Sequence, residues 1–273
     1  MSDMTGDDIR LEGNVIQRPF HSEILAWILE PKRLLGLIAL VLVALVLISR
    51  SVLETLAFSV GLDFYEPEFQ QIWMPILYGE LAFVALIGVV STLYIWLTRE
   101  KDAAVITPKV ELDRYFVLLT MFAVIAVWAA PLAFMTVEAD AAWHQVTIRD
   151  TDFTPTHILL FYFSVPLLTC LLVATFAWAH TRLPMYMNRI SVPFVIVVTG
   201  VFMIMPNYGF NEWGHTFFYA EELFAAPIHY GFVLLGWAFF ALVPLVVQVV
   251  ERMAKLIPIV AEENVRNNAA KAV

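Results

Sequence analysis

Cysteine is almost missing from this sequence: Cys170 stands alone in 273 residues. A single thiol closes no disulfide within the chain and says nothing of the redox compartment. Charge is also scarce. Only 15% of the residues are Asp, Glu, Lys or Arg, against 60% hydrophobic, which excludes an ordinary soluble domain. A surplus of positive charge is missing too, and the formal net charge of −9 argues against a nucleic-acid partner.

What fills the chain instead is apolar sequence in runs of about 20 residues or more, the length that crosses a bilayer. Six such runs lie at roughly 34–58, 72–97, 115–137, 157–179, 190–210 and 226–250. A buried soluble core accounts for one or two of these, not for all of them. The expected fold is an all-α integral membrane protein, a bundle of about six transmembrane helices. The first run follows an acidic leader (Asp3, Asp7, Asp8, Glu12) and is too long for the core of a signal peptide. No small-residue cleavage site follows it, so it reads as a retained helix. Just before it, "FHSEILAWILEP" reads as a short interfacial helix, with Ile24, Leu25, Trp27 and Ile28 on its apolar side. The chain thus divides into a cytoplasmic leader at 1–33, a six-helix membrane domain at 34–250 and a cytoplasmic tail at 251–273.

Basic residues are nearly absent from three of the loops. Arg149 is the one Lys or Arg across 59–71, 138–156 and 211–225. The leader (Arg10, Arg18, Lys32, Arg33), the 98–114 loop (Arg99, Lys101, Lys109, Arg114), the 180–189 loop (Arg182, Arg189) and the tail (Arg252, Lys255, Arg266, Lys271) hold almost all the rest. Positive charge stays inside, so both termini are expected in the cytoplasm and the three acidic loops outside. Four histidines, His144, His157, His215 and His229, fall at that outer level. His21 and His180 read as ordinary interfacial residues on the other side.

The outer histidines occur in a repeated arrangement. The third run ends in "EADAAWH" and the fourth opens with "TPTHI"; the fifth ends in "FNEWGH" and the sixth opens with "APIHY". In each, a polar residue is followed four positions later by His, and a Pro-x-His begins the next helix. Asp140 and His144, at i and i+4, share one face if the third helix extends past the membrane surface, and the same holds for Asn211 and His215. Pro155 and Pro227 suit the first turn of a helix, with Thr154 a candidate N-cap. His157 and His229 then stand near helix N-termini, where the dipole disfavours imidazolium and favours the neutral, metal-binding ring.

Asp140, His144 and His157 therefore form a two-histidine, one-carboxylate set suited to iron(II), zinc or copper. Asn211, His215 and His229 form a weaker set, since a neutral amide is a poor ligand; a hydrogen-bonded polar cluster is the plain alternative there. For His144 and His157 the plain alternative is hydrogen bonding to headgroups or to a partner. Trp143, Trp213 and Phe153 read first as interfacial aromatics. Asp150 and Asp152 read as caps pairing with Arg149. Within the spans, Arg50 can reach Glu54 one turn on, while Glu80 is an intramembrane carboxylate without an assigned role.

The stretches "EPEFQQIW", "DAAWHQVTIRDTDFTPTHILLFY", "TRLP" and "MPNYGFNEWGHTFFYAEELFAAPIHYGFVLLGWA" closely resemble the C subunit of the copper membrane monooxygenases, over about residues 59–250. That family comprises particulate methane, ammonia and related hydrocarbon monooxygenases. The resemblance implies a bacterial inner or intracytoplasmic membrane and a complex with A and B type subunits, assembled as a trimer of heterotrimers. It also implies transfer of one oxygen atom from O2 to a small substrate, with quinol as reductant. Its D-x3-H-x12-H pattern falls on Asp140, His144 and His157, and its N-x3-H-x13-H pattern on Asn211, His215 and His229. Copper becomes the expected metal, and the second set the candidate catalytic site. None of the six ligands is Cys or Met, as suits a site that generates a strong oxidant. The leader before residue 34 and the tail after 252 lie outside the resemblance. Methane or a short alkane is expected as substrate over ammonia, from the look of residues 107–114 and 215–231. Two other classes compete: a scaffold subunit with accessory metal sites, and a cation or proton transporter. The ligands cluster at one mouth of the bundle, whereas transporter sites lie at the midplane.

Overall fold

The computed structural model describes residues 30–147, 153–200 and 238–271. Among them the chain is helical with no strand, which agrees with the expected all-α membrane architecture. The first helix, α1, is Pro31–Leu56, and the second, α2, is Pro67–Leu97. Next comes α3 (Pro108–Val124), which runs through a π turn at Ile125–Ala129 into α4 (Ala130–Val146). Beyond the following loop, α5 (Pro155–Leu159) runs through a π turn at Leu160–Ser164 into α6 (Val165–His180). A short α7 (Pro184–Met187) and α8 (residues 192–200) follow. A π turn at Ala238–Leu242 then leads into α9 (Val243–Lys271).

Proline opens many of these helices, because at the first turn its missing N–H has no partner to lose. Its effect inside the long helices is less expected. Pro131, Pro166 and Pro244 each lie in the second position after a π turn. In each case the residue four positions back (Val127, Tyr162, Phe240) is the centre of that turn. A proline ring presses on the i−4 carbonyl and offers it no donor, and a widened turn relieves both problems. Pro75 and Pro258 sit inside helices without such a turn, so proline permits this device but does not dictate it.

Among the described residues, four helical segments are long and apolar enough to cross a membrane: Pro31–Leu56, Pro67–Leu97, Pro108–Ala129 and Pro155–His180. The fifth expected run continues from α8 beyond the described residues. The sixth enters them only at residue 238. The interfacial helix expected before α1 also lies outside the described residues. α9 does not stop at the expected boundary of 250 but continues as helix to Lys271.

Three apolar clusters hold the bundle together. One, at the basic end, joins Tyr115, Leu118, Leu172, Trp178, Phe194 and Leu245. A middle one joins Leu42, Leu132, Phe163 and Leu167. The third, at the acidic end, gathers Leu53, Phe69, Trp73, Trp143 and Ile158. α5 and α6 form the centre, while most of α2 presents its side chains outward. Exposed Leu86, Val89, Val90 and Leu93 there suit a hydrocarbon surrounding, in which apolar exposure carries no penalty.

Candidate metal centre

At the acidic end, α4 extends through "EADAAWH" and so carries Asp140 and His144 one helical turn apart. α5 begins at Pro155, with Thr154 as its N-cap; the Thr154 hydroxyl accepts a hydrogen bond from the His157 N–H at 3.0 Å. This cap fixes where the first turn of α5 starts, and hence where His157 projects. His157 Nε2 comes to 3.3 Å from Asp140 Oδ1, and both side chains are almost wholly buried. The His157 ring meets the edge of Phe161, with centroids 4.9 Å apart.

Thr156, which no sequence pattern singles out, completes the arrangement. Its hydroxyl donates to Asp140 Oδ1 at 2.6 Å and lies 3.1 Å from the Thr154 hydroxyl. Because the carboxylate can only accept, the Thr156 proton points to Asp140 and Thr154 donates to Thr156. A directed chain thus runs from the His157 backbone through two hydroxyls to the Asp140 carboxylate. It holds Asp140 and His157, from two helices, in one place.

The surroundings correct the expectation for Trp143. It is fully buried and donates its indole N–H to the Ala57 carbonyl at 2.6 Å, tying α4 to the end of α1. The 57–66 connection folds over the helix ends and takes the place of the interface expected there. Trp73 donates to the Val60 carbonyl at 2.8 Å in the same way. Between them Gly61 has φ of 60°, and a β-carbon on it would stand 2.7 Å from the Phe69 backbone nitrogen. Only glycine allows that approach. Phe153 also packs inward, tilted on Phe64 at 5.3 Å and stacked on Tyr162 at 5.7 Å. Phe64, Phe153 and Tyr162 thus join Trp143 in the apolar cluster at this end of the bundle.

The described donors fit a first-row transition metal. Two ligands with bonds of about 2.0–2.1 Å on one ion have their donor atoms about 3 to 3.4 Å apart. The Asp140–His157 separation of 3.3 Å falls in that interval. Among the described residues no group of three His, Cys, Asp or Glu side chains gathers; of the first set, Asp140 and His157 are the side chains described. Asn211, His215 and His229 lie outside the described residues, as do Asp150, Asp152, Trp213 and Pro227. Arg50 pairs with Glu54 at 2.6 Å, as its spacing indicates. Glu80 keeps a buried carboxylate oxygen with no hydrogen-bond partner among the described residues.

The basic loops converge at the opposite end. Arg114 donates to the Arg182 carbonyl at 2.9 Å and pairs with Glu100. Arg182, buried, donates to the hydroxyls of Thr98 and Thr181. Arg252 grips Glu111 with two bonds of 2.8 and 2.7 Å across 141 residues of sequence. Hydrogen bonding to that carboxylate holds the Arg252 guanidinium above its ordinary pKa. His180 is not a simple interfacial residue: it stacks on Phe176 at 3.8 Å and lies beside Tyr186 and Phe194.

A search of curated proteins returned no match. The family model for the C subunit of ammonia monooxygenase/methane monooxygenase matches residues 21–260. That span takes in part of the leader and of the tail, both of which lie outside the resemblance in the sequence motifs. With the helical architecture and the membrane-length apolar helices, it makes this chain a multi-pass membrane subunit of a monooxygenase complex. The chain belongs to the family of ammonia monooxygenase/methane monooxygenase C subunits.

Proposed function

We propose that Asp140, His144 and His157 hold copper at the outward end of the bundle. In the same reading Asn211, His215 and His229 form a second copper site and the catalytic one. The observation that supports the first site is the meeting of Asp140 and His157, buried and 3.3 Å apart, from two separate helices. A carboxylate and an imidazole suit copper, zinc and iron(II) alike, and copper is the choice that the resemblance in the sequence motifs implies.

Copper bound there would supply the one-electron and O2 chemistry that protein side chains lack. The chain's own residues supply position and exclusion. Thr156 fixes one oxygen of Asp140 and thereby the face the carboxylate presents, as outer hydrogen bonds do at metal sites generally. Thr154 sets the start of α5, and with it the reach of His157. Burial of both Asp140 and His157 keeps bulk water from them. The substrate in this reading is methane or a short alkane in preference to ammonia. The complex is a trimer of heterotrimers with A and B type subunits, reduced by quinol.

The test is copper content and electron paramagnetic resonance of the purified complex, native against Asp140→Asn and His215→Ala. Alkane and ammonia turnover are recorded on the same samples. Loss of one copper signal and all turnover in His215→Ala, with subunits still assembled, makes the second site catalytic. Copper loss with turnover intact makes it accessory and moves the chemistry to Asp140, His144 and His157. An Asp140→Asn complex with unchanged copper content removes the first site from the proposal.

A further inference from the structure

The basic end carries a half-open cleft of about 400 Å3 between α7, the turn that follows it and the first half of α9. Arg189, Arg252 and Lys255 line it, with Glu251 as the acidic group and Gln248 on its wall. The cations differ in what holds them. Arg252 grips Glu111, and Lys255 meets Glu251 at 2.6 Å. Arg189 is exposed and forms no ion pair with any described residue. Counting Glu111 behind Arg252, the cleft retains one unbalanced positive charge. Gln248 accepts from Ser191 at 2.7 Å through its carbonyl oxygen, which leaves its amide N–H groups for another acceptor.

Depth identifies the occupant. The cleft lies where the apolar face of α9, with Val243, Val247 and Val250 outward, gives way to Glu251, Arg252 and Lys255. On its other side, Arg189 is followed by Ile190 and Val192, both more than half exposed. Cationic donors therefore stand directly above an exposed apolar ledge on each wall. A soluble anion makes use of the donors alone. A phospholipid uses both, its phosphate among the donors and its acyl chains along the ledge.

We propose that this cleft binds the phosphate headgroup of an anionic phospholipid, with Arg189 as the principal contact and Gln248 and Lys255 beside it. Arg252 is occupied by Glu111 and contributes mainly to the shape of the wall. The site is independent of the metal centre, at the far end of the bundle, and does not depend on the metal assignment.

The experiment is a titration of the delipidated, assembled complex with phosphatidylglycerol, with bound lipids counted by native mass spectrometry. Phosphatidylcholine and inorganic phosphate serve as parallel probes. Arg189→Ala, which removes no ion pair with any described residue, is expected to weaken one phosphatidylglycerol site about fivefold. Arg189→Lys keeps the charge and stays within about twofold of the native complex. Arg99→Ala, at the same end but stacked on Trp96, leaves the site unchanged. Equal loss in Arg99→Ala overturns the proposal in favour of diffuse surface charge. Binding of inorganic phosphate as tight as that of the lipid overturns it in favour of a soluble anion. Failure of Arg189→Ala to alter any lipid site shows that another protein of the complex or nothing fills the cleft, and also overturns it.

Discussion

Each end of this bundle buries a carboxylate, and the two are satisfied in different ways. At the basic end Glu111 takes two bonds from the Arg252 guanidinium. At the acidic end Asp140 has a threonine hydroxyl on one oxygen and an imidazole nitrogen 3.3 Å away. A bidentate guanidinium uses both carboxylate oxygens and supplies the compensating charge itself. The described partners of Asp140 are a hydroxyl and an imidazole, an arrangement that a metal ion can join. The first arrangement fastens helices; the second suits holding a metal.

The comparison breaks most completely at Asp140. Asp140→Asn keeps the shape and still accepts from Thr156, so the complex should assemble, while metal at this site is lost; elemental analysis of the purified complex measures it. Removing the cation at the other end gives a stability effect instead. Arg252→Ala strands buried Glu111 and should cost about 2 kcal/mol, less than a wholly buried pair because Arg252 is 37% exposed. Thermal unfolding of the complex reads this, and turnover per assembled complex should hold. Thr156→Val sharpens the contrast, because it leaves both ligands and deletes the bond that orients Asp140, together with the Thr154–Thr156 bond behind it. Metal affinity at this site is then expected to fall about tenfold with little change in stability. The smallest effect is Trp143→Phe, which leaves the buried Ala57 carbonyl without its donor. It should lower stability by about 1 kcal/mol and barely move metal content.

Much of the acidic end is legible in the sequence. Asp140 and His144 at i and i+4, Pro155 at a helix start and Thr154 as its cap are local relations, and helical periodicity alone predicts them. Thr156 is not legible as a functional residue. A threonine in the first turn of a helix has many uses, and its bond to Asp140 spans 16 residues of sequence. Trp143 departs from expectation for a related reason. A tryptophan at the end of an apolar run usually marks the interface, and only the fold-back of 57–66 buries this one. The prolines are visible, yet their partners, the widened turns four residues back, follow from backbone geometry that composition does not record.

The sequence by itself determined the class of the protein and the places of the four spans found among the described residues, because bilayer crossing depends on length and apolarity within one segment. It also determined that Asp140 and His144 share a helix. The tertiary structure alone decided that Asp140 meets His157, that Glu111 meets Arg252 across 141 residues, and that Arg189 is left without a described ion pair beside an apolar ledge. Those relations depend on how helices distant in sequence pack together, and packing is a property of the assembled bundle rather than of any segment in it.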